Sequence, residues 1–251
     1  MEVVKTQATS PEAIATAVKL ANEQRLTTIV VRDGAGYYTS RALGAMVREA
    51  AYMVQEGVSV ELIDDAMRRW GWPRGPLSLV DMIGLDVVHQ VTQTLGQAYG
   101  GRMQSPATLG TMVADNRMGY KTGSGFYVYN GSGTANGVGA SPDATIYELL
   151  GVEPNRAMAA EQIQMRCTLQ VVNESILCLD DGVLMRAEDG DVGAVLGLGF
   201  PVFRGGPFRF ADAIGVREVL RRMEKYYDRF GDRWKPAPGL VRMVEKGESF
   251  Y

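Results

Sequence analysis

The order of apolar and polar residues changes period several times along the chain. Met1 to Lys5 reads as the end of a short strand. Ser10 followed by Pro11 predicts a helix start: the hydroxyl can accept from a free first-turn amide, and proline at the first helical position sacrifices no hydrogen bond. The helix runs to about Arg25, with Ile14, Val18, Leu20 and Ala21 as an approximate apolar stripe. Thr27 to Val31 is a β-branched run, apolar on both faces, as in a strand inside a parallel sheet. A β-α-β piece of this size cannot cover both faces of its own sheet, so either it completes a sheet elsewhere or the rest of its domain is absent; the favoured expectation is absence, with the chain beginning in mid-fold.

After Asp33 the period becomes helical. Leu43, Met46, Val47, Ala50, Met53 and Val54 recur at spacings of three and four and end near Gly57. A second helix is expected over Val60 to Trp70, broken by the run Gly71–Trp72–Pro73–Arg74–Gly75–Pro76. A third, from about Ser78 to Leu95, carries His89, and a later helix covers Val216 to Lys235. Asn130 to Ser141 is rich in Gly, Ser and Asn without apolar periodicity, which marks a linker.

Beyond that linker the first pattern returns. Arg41 precedes Glu49 by eight residues and Gly57 by sixteen; Arg166 precedes Glu174 by eight and Gly182 by sixteen. Gly71–Trp72–Pro73 matches Gly199–Phe200–Pro201, and Gly75–Pro76–Leu77 matches Gly206–Pro207–Phe208. Val80–Asp81–Met82–Ile83–Gly84 matches Ala211–Asp212–Ala213–Ile214–Gly215. So many landmarks in one order define a tandem duplication of a helical unit roughly a hundred residues long.

Composition narrows the function classes. The 251 residues are 46% hydrophobic and 22% charged, with a net charge of −3, which fits a folded globular protein without the basic footprint of a nucleic-acid binder. The N-terminus lacks a signal-peptide core, and the longest apolar stretch, Val192 to Phe203, is too short for a bilayer. Cys167 and Cys178 lie eleven residues apart in one expected helix, roughly 16 Å apart, too far for a disulfide. Two free thiols suit a reducing interior.

Candidate chemistry is sparse. The fragments Gly34–Ala35–Gly36 and Gly197–Leu198–Gly199 both fail the third glycine of a dinucleotide fingerprint, so a phosphate cradle is not expected. His89, the single histidine, has Asp86 three residues away as a conceivable orienting partner, yet its apolar helix favours a surface or packing role. Glu49 and Glu174 occupy the same point of both core helices. A shared acid–base pair is one reading; the favoured one has each carboxylate capping or salt-bridging within its own repeat. Val216 to Lys235 carries seven Lys or Arg against four Asp or Glu, opposite Val219, Leu220, Met223, Tyr226, Tyr227, Phe230 and Trp234. A solvated charged face over a packed one is expected there, ahead of an anion site. Met46, Met53, Met165 and Met223 fall at core spacing.

Four segments resemble the L-3-hydroxyacyl-CoA dehydrogenase family: Val30–Val31–Arg32–Asp33–Gly34–Ala35–Gly36–Tyr37–Tyr38–Thr39–Ser40–Arg41, Gly71 to Pro76, Gly119 to Tyr127, and Gly197 to Phe208. Together with the duplication they resemble the tandem C-terminal helical domains of multifunctional α subunits of fatty-acid oxidation complexes, over nearly the whole chain. The resemblance implies a mainly α fold of two tandem dehydrogenase C-terminal-type domains, like the C-terminal domain of 6-phosphogluconate dehydrogenase, after a short βαβ remnant of a Rossmann domain. It divides the chain into that remnant at 1–33, a first helical domain at 34–130, a linker at 131–142 and a second helical domain at 143–251.

The resemblance also implies an NAD-dependent oxidation of 3-hydroxyacyl-CoA in fatty-acid β-oxidation. The catalytic His–Glu pair and the NAD site would belong to the Rossmann domain, with the histidine just upstream of the strand that Met1–Glu2–Val3–Val4 resembles. No catalytic or cofactor-binding residue is therefore assigned in this chain, and His89 does not match the catalytic histidine. Substrate-binding positions carried over are Ser40, where many relatives have an asparagine that contacts the 3-oxygen, and Leu196, where relatives carry an aromatic. A hydroxyl offers one hydrogen bond in place of the two-sided amide. The expected partners are acyl-CoA, the protein's own N-terminal domains, a thiolase β subunit and a second copy in a homodimer, in the cytoplasm or, in a eukaryote, the mitochondrial matrix. The competing expectation is a free-standing helical dimerisation or acyl-CoA-binding module without catalysis.

Overall fold

The computed structural model describes residues 1–129 and 140–251. Its order is β1 (Glu2–Lys5), α1 (Pro11–Glu23), β2 (Ile29–Arg32), α2 (Thr39–Gln55), α3 (Val60–Trp70), α4 (Pro76–Ile83), α5 (Leu85–Tyr99) and α6 (Thr108–Ala114). Then follow β3 (Tyr127–Tyr129), β4 (Ala140–Pro142), α7 (Thr145–Leu150), α8 (Ala160–Asp180), α9 (Ala187–Gly193), α10 (Pro207–Ile214), α11 (Val216–Phe230) and α12 (Pro238–Lys246). The chain is mainly helical, as the sequence implies. It forms two compact units, one from Met1–Leu43 with Thr168–Tyr251 and the other from Gly44–Cys167. Most of the expected linker lies outside the described residues; its last residues form β4, antiparallel to β3 with Tyr127 opposite Pro142.

In the first unit β1 and β2 run parallel, Glu2 opposite Ile29 and Lys5 opposite Arg32, with α1 as the crossover. Ser10 caps α1 by accepting from the Ala13 amide. Ile29 and Val31 are buried, but α1 buries only Ala21 and leaves Leu20 about half exposed. The stripe of Ile14, Ala15 and Val18 borders an open hollow rather than a neighbouring helix. Farther along, Leu169, Val172 and Ile176 of α8, Phe200, Phe208 and Met223 make the core. Asn173 fastens α8 to the segment before α12, donating to the Lys235 carbonyl and accepting from the Ala237 amide at 2.8 Å.

In the second unit Met46, Met53, Ile63, Met67, Leu77 and Phe126 are buried around Gly44–Gln55, α3 and α4. The sequence expectation of one helix from Ser78 to Leu95 is corrected to two, α4 and α5, because Gly84 at φ +107° leaves the helical region. The duplicate repeats the break: Gly215, at φ +91°, separates α10 from α11. The expected helix from Val216 to Lys235 ends instead at Phe230, where Gly231 takes φ +72° and a 3₁₀ turn follows over Gly231–Trp234. Nothing in the apolar period marks these stops, since the hydrophobic stripe resumes after each glycine.

Both cysteines sit on α8, buried and unbridged, and the four methionines singled out are all buried. Among the described residues no helix is long and apolar enough to cross a membrane.

Candidate functional site

Buried charge marks the first constellation. In one unit the Arg41 guanidinium donates to Glu174 at 2.8 Å and to Asp181 at 2.9 Å. In the other, Arg166 donates to Glu49 at 2.7 Å and to both oxygens of Glu56. Each glutamate thus pairs with the arginine of the other repeat, which corrects the expectation of partners within its own. Eight residues along a helix separate Cα atoms by about 12 Å, so Arg41 cannot reach Glu49 along α2. Burial disfavours the Arg166 charge, but hydrogen bonds to Glu56 and the charges of Glu49 and Glu56 outweigh it and hold its pKa above the ordinary value. Two glutamates neutralised in separate ion pairs do not form an acid–base dyad.

The second constellation is a duplicated latch, of which the sequence pattern pairs Asp81 with Asp212 but leaves out Asp64 and Asp191. Asp64 on α3 accepts from the amides of Leu77 and Ser78, both at 2.9 Å, capping α4, and from the Tyr127 hydroxyl at 3.0 Å. Asp81 on α4 accepts from the amides of Phe126 and Tyr127, both at 2.9 Å, and from the Tyr129 hydroxyl at 2.7 Å. The copy is faithful: Asp191 accepts from the Phe208 and Arg209 amides and the Tyr251 hydroxyl, and Asp212 from the Phe250 and Tyr251 amides. Glycine makes room in both, since a Cβ at Gly75 would run into Asp64 and one at Gly206 into Asp191. Burial raises the Asp64 carboxyl against the pull of its amide donors, and burial with the same opposition pushes Asp81 up to about 7. Asp191 is raised by burial as well, against the pull of Tyr251 and its two amides. These carboxylates are saturated with donors from the protein itself, which suits fastening rather than turnover.

The third feature is a hollow of about 120 Å³ in the first unit, walled by Glu2, Ile29, Thr39, Val192, Leu196 and their neighbours. Glu2 fixes its rim: one carboxylate oxygen accepts from the Tyr38 amide at 2.8 Å, the other from the Thr39 hydroxyl at 2.6 Å. This side chain holds the start of α2. Tyr38 is locked beneath, its hydroxyl donating to the Gly190 carbonyl at 2.9 Å. Leu196 stands on a π-helical turn, Ala194–Leu198, and is 64% exposed. Such turns are rare and frequent at functional sites. Ser40 is half-buried in the first turn of α2, one residue from Thr39 and outside the hollow's wall. The structure therefore brings Leu196 to Thr39 and Glu2, with Ser40 adjacent in sequence.

His89 borders a separate hollow of about 530 Å³ in the second unit, with Gln93, Gln97, Pro106 and Ala107 among its neighbours. Its proposed helper is engaged elsewhere: Asp86 accepts from the Lys121 ammonium at 2.7 and 2.9 Å, and this bond first of all lowers the Asp86 pKa. The cationic face of α11 is likewise partly neutralised, Arg221 and Arg222 both donating to Glu218. Among the described residues no group of three potential metal ligands occurs. A dinucleotide phosphate does not fit the first glycine fragment. Gly34 and Gly36 lead into the start of α2, where the Glu2 carboxylate already accepts from the Tyr38 amide and the Thr39 hydroxyl and would repel a phosphate.

A duplicated helical domain, latched twice by the same aspartates and joined to a parallel βαβ edge, defines the class of the molecule. The sequence-family description "3-hydroxyacyl-CoA dehydrogenase, C-terminal domain" matches residues 36–129 and again 163–249. The chain belongs to that family. The fatty acid oxidation complex subunit alpha of Shewanella amazonensis is 41% identical over all 251 residues, and that of Shewanella halifaxensis 40%. The chain spans about a third of the length of these relatives, 35% in each. In fold it is similar to 3-hydroxybutyryl-CoA dehydrogenase from Escherichia coli K12, at a TM-score of 0.81 and 21% identity over 98% of this chain and 68% of that one. The dehydrogenase part of multifunctional enzyme 1 from C. elegans aligns at 0.68, also at 21% identity, over 96% of this chain and 55% of that one.

Proposed function

We propose that this chain is the helical part of an NAD-dependent L-3-hydroxyacyl-CoA dehydrogenase of fatty-acid β-oxidation, in which it walls the acyl-CoA site and supplies subunit contacts. NAD and the catalytic histidine come from sequence outside these 251 residues, and the chain alone is inactive. The observation that carries this reading is the small hollow walled by Thr39, with the fixed Glu2 carboxylate at one side and the exposed apolar side chain of Leu196 at the other. Glu2 holds the start of α2 through Tyr38 and Thr39, and the hydroxyl of Ser40, the next residue, is the proposed partner of a substrate oxygen through one hydrogen bond. Leu196 offers an apolar contact to the carbons next to it.

The uncovered stripe of α1 and the two-stranded parallel edge support a Rossmann domain as the neighbour on that side. The protein's own N-terminal domains, a thiolase β subunit and a second copy are the proposed macromolecular partners, in the cytoplasm of a bacterium. The test is NADH consumption with acetoacetyl-CoA. The 251-residue chain is expected to give none, while the longer protein that contains it turns over. Turnover by the chain alone, above a mock purification, would refute the assignment of catalysis to the missing part.

A further inference from the structure

Gly84 to Asn116 and Gly215 to Gly247 are the same stretch of the two repeats and align without a gap. α5 and α11 have fifteen residues each, and each gives way to a glycine that opens a four-residue 3₁₀ turn, Gly100–Met103 or Gly231–Trp234. Asn116 and Gly247 both take left-handed backbone, at φ +58° and +69°. Within that common frame the hollow of about 530 Å³ beside His89 is a difference in side chains. Its wall includes Gly96 and Gly110, where the other repeat carries Tyr227 and Val241. A Cβ at Gly110 would come within 3.1 Å of the His89 ring, so that glycine makes room for a neighbour. Gly96 has no such reason. It lies in the body of α5, where glycine weakens a helix relative to alanine, and a Cβ there would meet only the backbone of Met103 and Gln104, at 3.8 Å. A longer side chain at 96 would take up the hollow itself.

The rim changes with the floor. Glu224, Asp228 and Lys235 of one repeat are answered by Gln93, Gln97 and Gln104 of the other, all three exposed. Among the described residues the wall has no Asp, Glu, Lys or Arg, and no aromatic ring apart from His89. In the same wall the Ser105 hydroxyl oxygen is buried with no hydrogen-bond partner among those residues. We propose that this hollow is a binding site for a small uncharged molecule carrying amide groups, a role independent of the dehydrogenase reading. An anion or a cation finds no counter-charge in the wall. A hydrocarbon would leave the Ser105 hydroxyl buried and unbonded, which is costly. A carboxamide presents a donor and an acceptor side by side, so each glutamine can meet another amide at two points. Methylenes linking the amides would rest on Pro106 and Ala107. The volume is that of a small-molecule site.

The reporter is built in. His89 is the single histidine of the chain, so the NMR signal of its Cε1–H needs no assignment, and that atom stands against Gly110 in the wall. The untagged 251-residue chain is titrated at constant pH with N-acetylglycine N-methylamide, and in separate arms with glucose and with acetate. The diamide is expected to shift the signal saturably, with a Kd on the order of 10 mM, the scale for so small a ligand. Glucose and acetate are expected to leave it in place. Gly96→Tyr, which supplies the side chain of the other repeat, is expected to abolish the diamide shift. Ser105→Ala is expected to weaken binding by roughly threefold or more, the scale of one hydrogen bond, and decides the matter alone where the tyrosine variant does not fold. No shift with the diamide, an equal shift with glucose or acetate, or undiminished binding in the folded variants overturns the proposal.

Discussion

Arg41 and Arg166 have no exposed side-chain surface, and a buried guanidinium persists only with its carboxylates in place. Arg166→Met leaves Glu49 and Glu56 without that partner inside the fold. The expected cost is about 3–5 kcal/mol, the scale for breaking a buried pair from one side. Urea unfolding measures it, and a loss below about 1 kcal/mol would contradict the architectural role. Replacing Glu49 by Met in the same chain is expected to restore part of the loss. The identity of these residues was legible from spacing, since Arg and Glu recur eight apart in both repeats. Their partners were not, because helix geometry says only that an arginine cannot reach eight residues along its own helix. Asp64 and Asp191 were hidden for a similar reason: each reads as an acid on an amphipathic helix, and its partners are amides, which carry no residue identity. The available signal was the Gly–Pro start of the next helix, whose free amides require an acceptor.

Among the elements, β3 is tied to α3 and α4 through aspartates that hold their protons more tightly than in an unfolded chain. Asp81 goes from a reference value of 3.8 to about 7, chiefly through burial. With the folded pKa raised, its protonated form favours the fold. Its contribution is fullest below about pH 4 and is lost as the pH rises toward 7, at up to about 1.4 kcal/mol per pH unit for one proton. The urea midpoint should therefore fall between pH 5 and pH 7.5, and Asp81→Asn should flatten that slope. An equally steep slope in the variant would assign the effect elsewhere. Two helix starts were readable: α1 opens behind the Ser10 cap and α3 at Val60, as expected, whereas α4 opens at Pro76, inside the run that reads as a break. The stops at Gly84 and Gly231 were not readable, because glycine inside an apolar stripe is tolerated in some helices and decisive in others. Leu196 could be placed from sequence by likeness alone, whereas its π-helical turn depends on backbone geometry that no hydrophobic period reports.

For the molecule, the duplication is visible in the sequence, but the way the chain is shared between the two units is not. The first unit needs Met1–Leu43 and Thr168–Tyr251 together. Fragments 1–130 and 140–251 are consequently expected to be poorly soluble when expressed singly and to yield a folded complex when co-expressed. Circular dichroism and size-exclusion chromatography read the outcome, and a folded, monomeric 140–251 fragment would contradict it. The same sharing sets an order of events during synthesis. Glu49 waits for an arginine 117 residues further on, and Arg41 for a glutamate 133 residues away. At about 5–20 residues per second that is an interval on the order of ten seconds. In it the nascent α2 has left the ribosome with its charges unmatched and its apolar face uncovered. Burial of that face therefore waits on synthesis of α8, so the first helices depend on sequence made well after them.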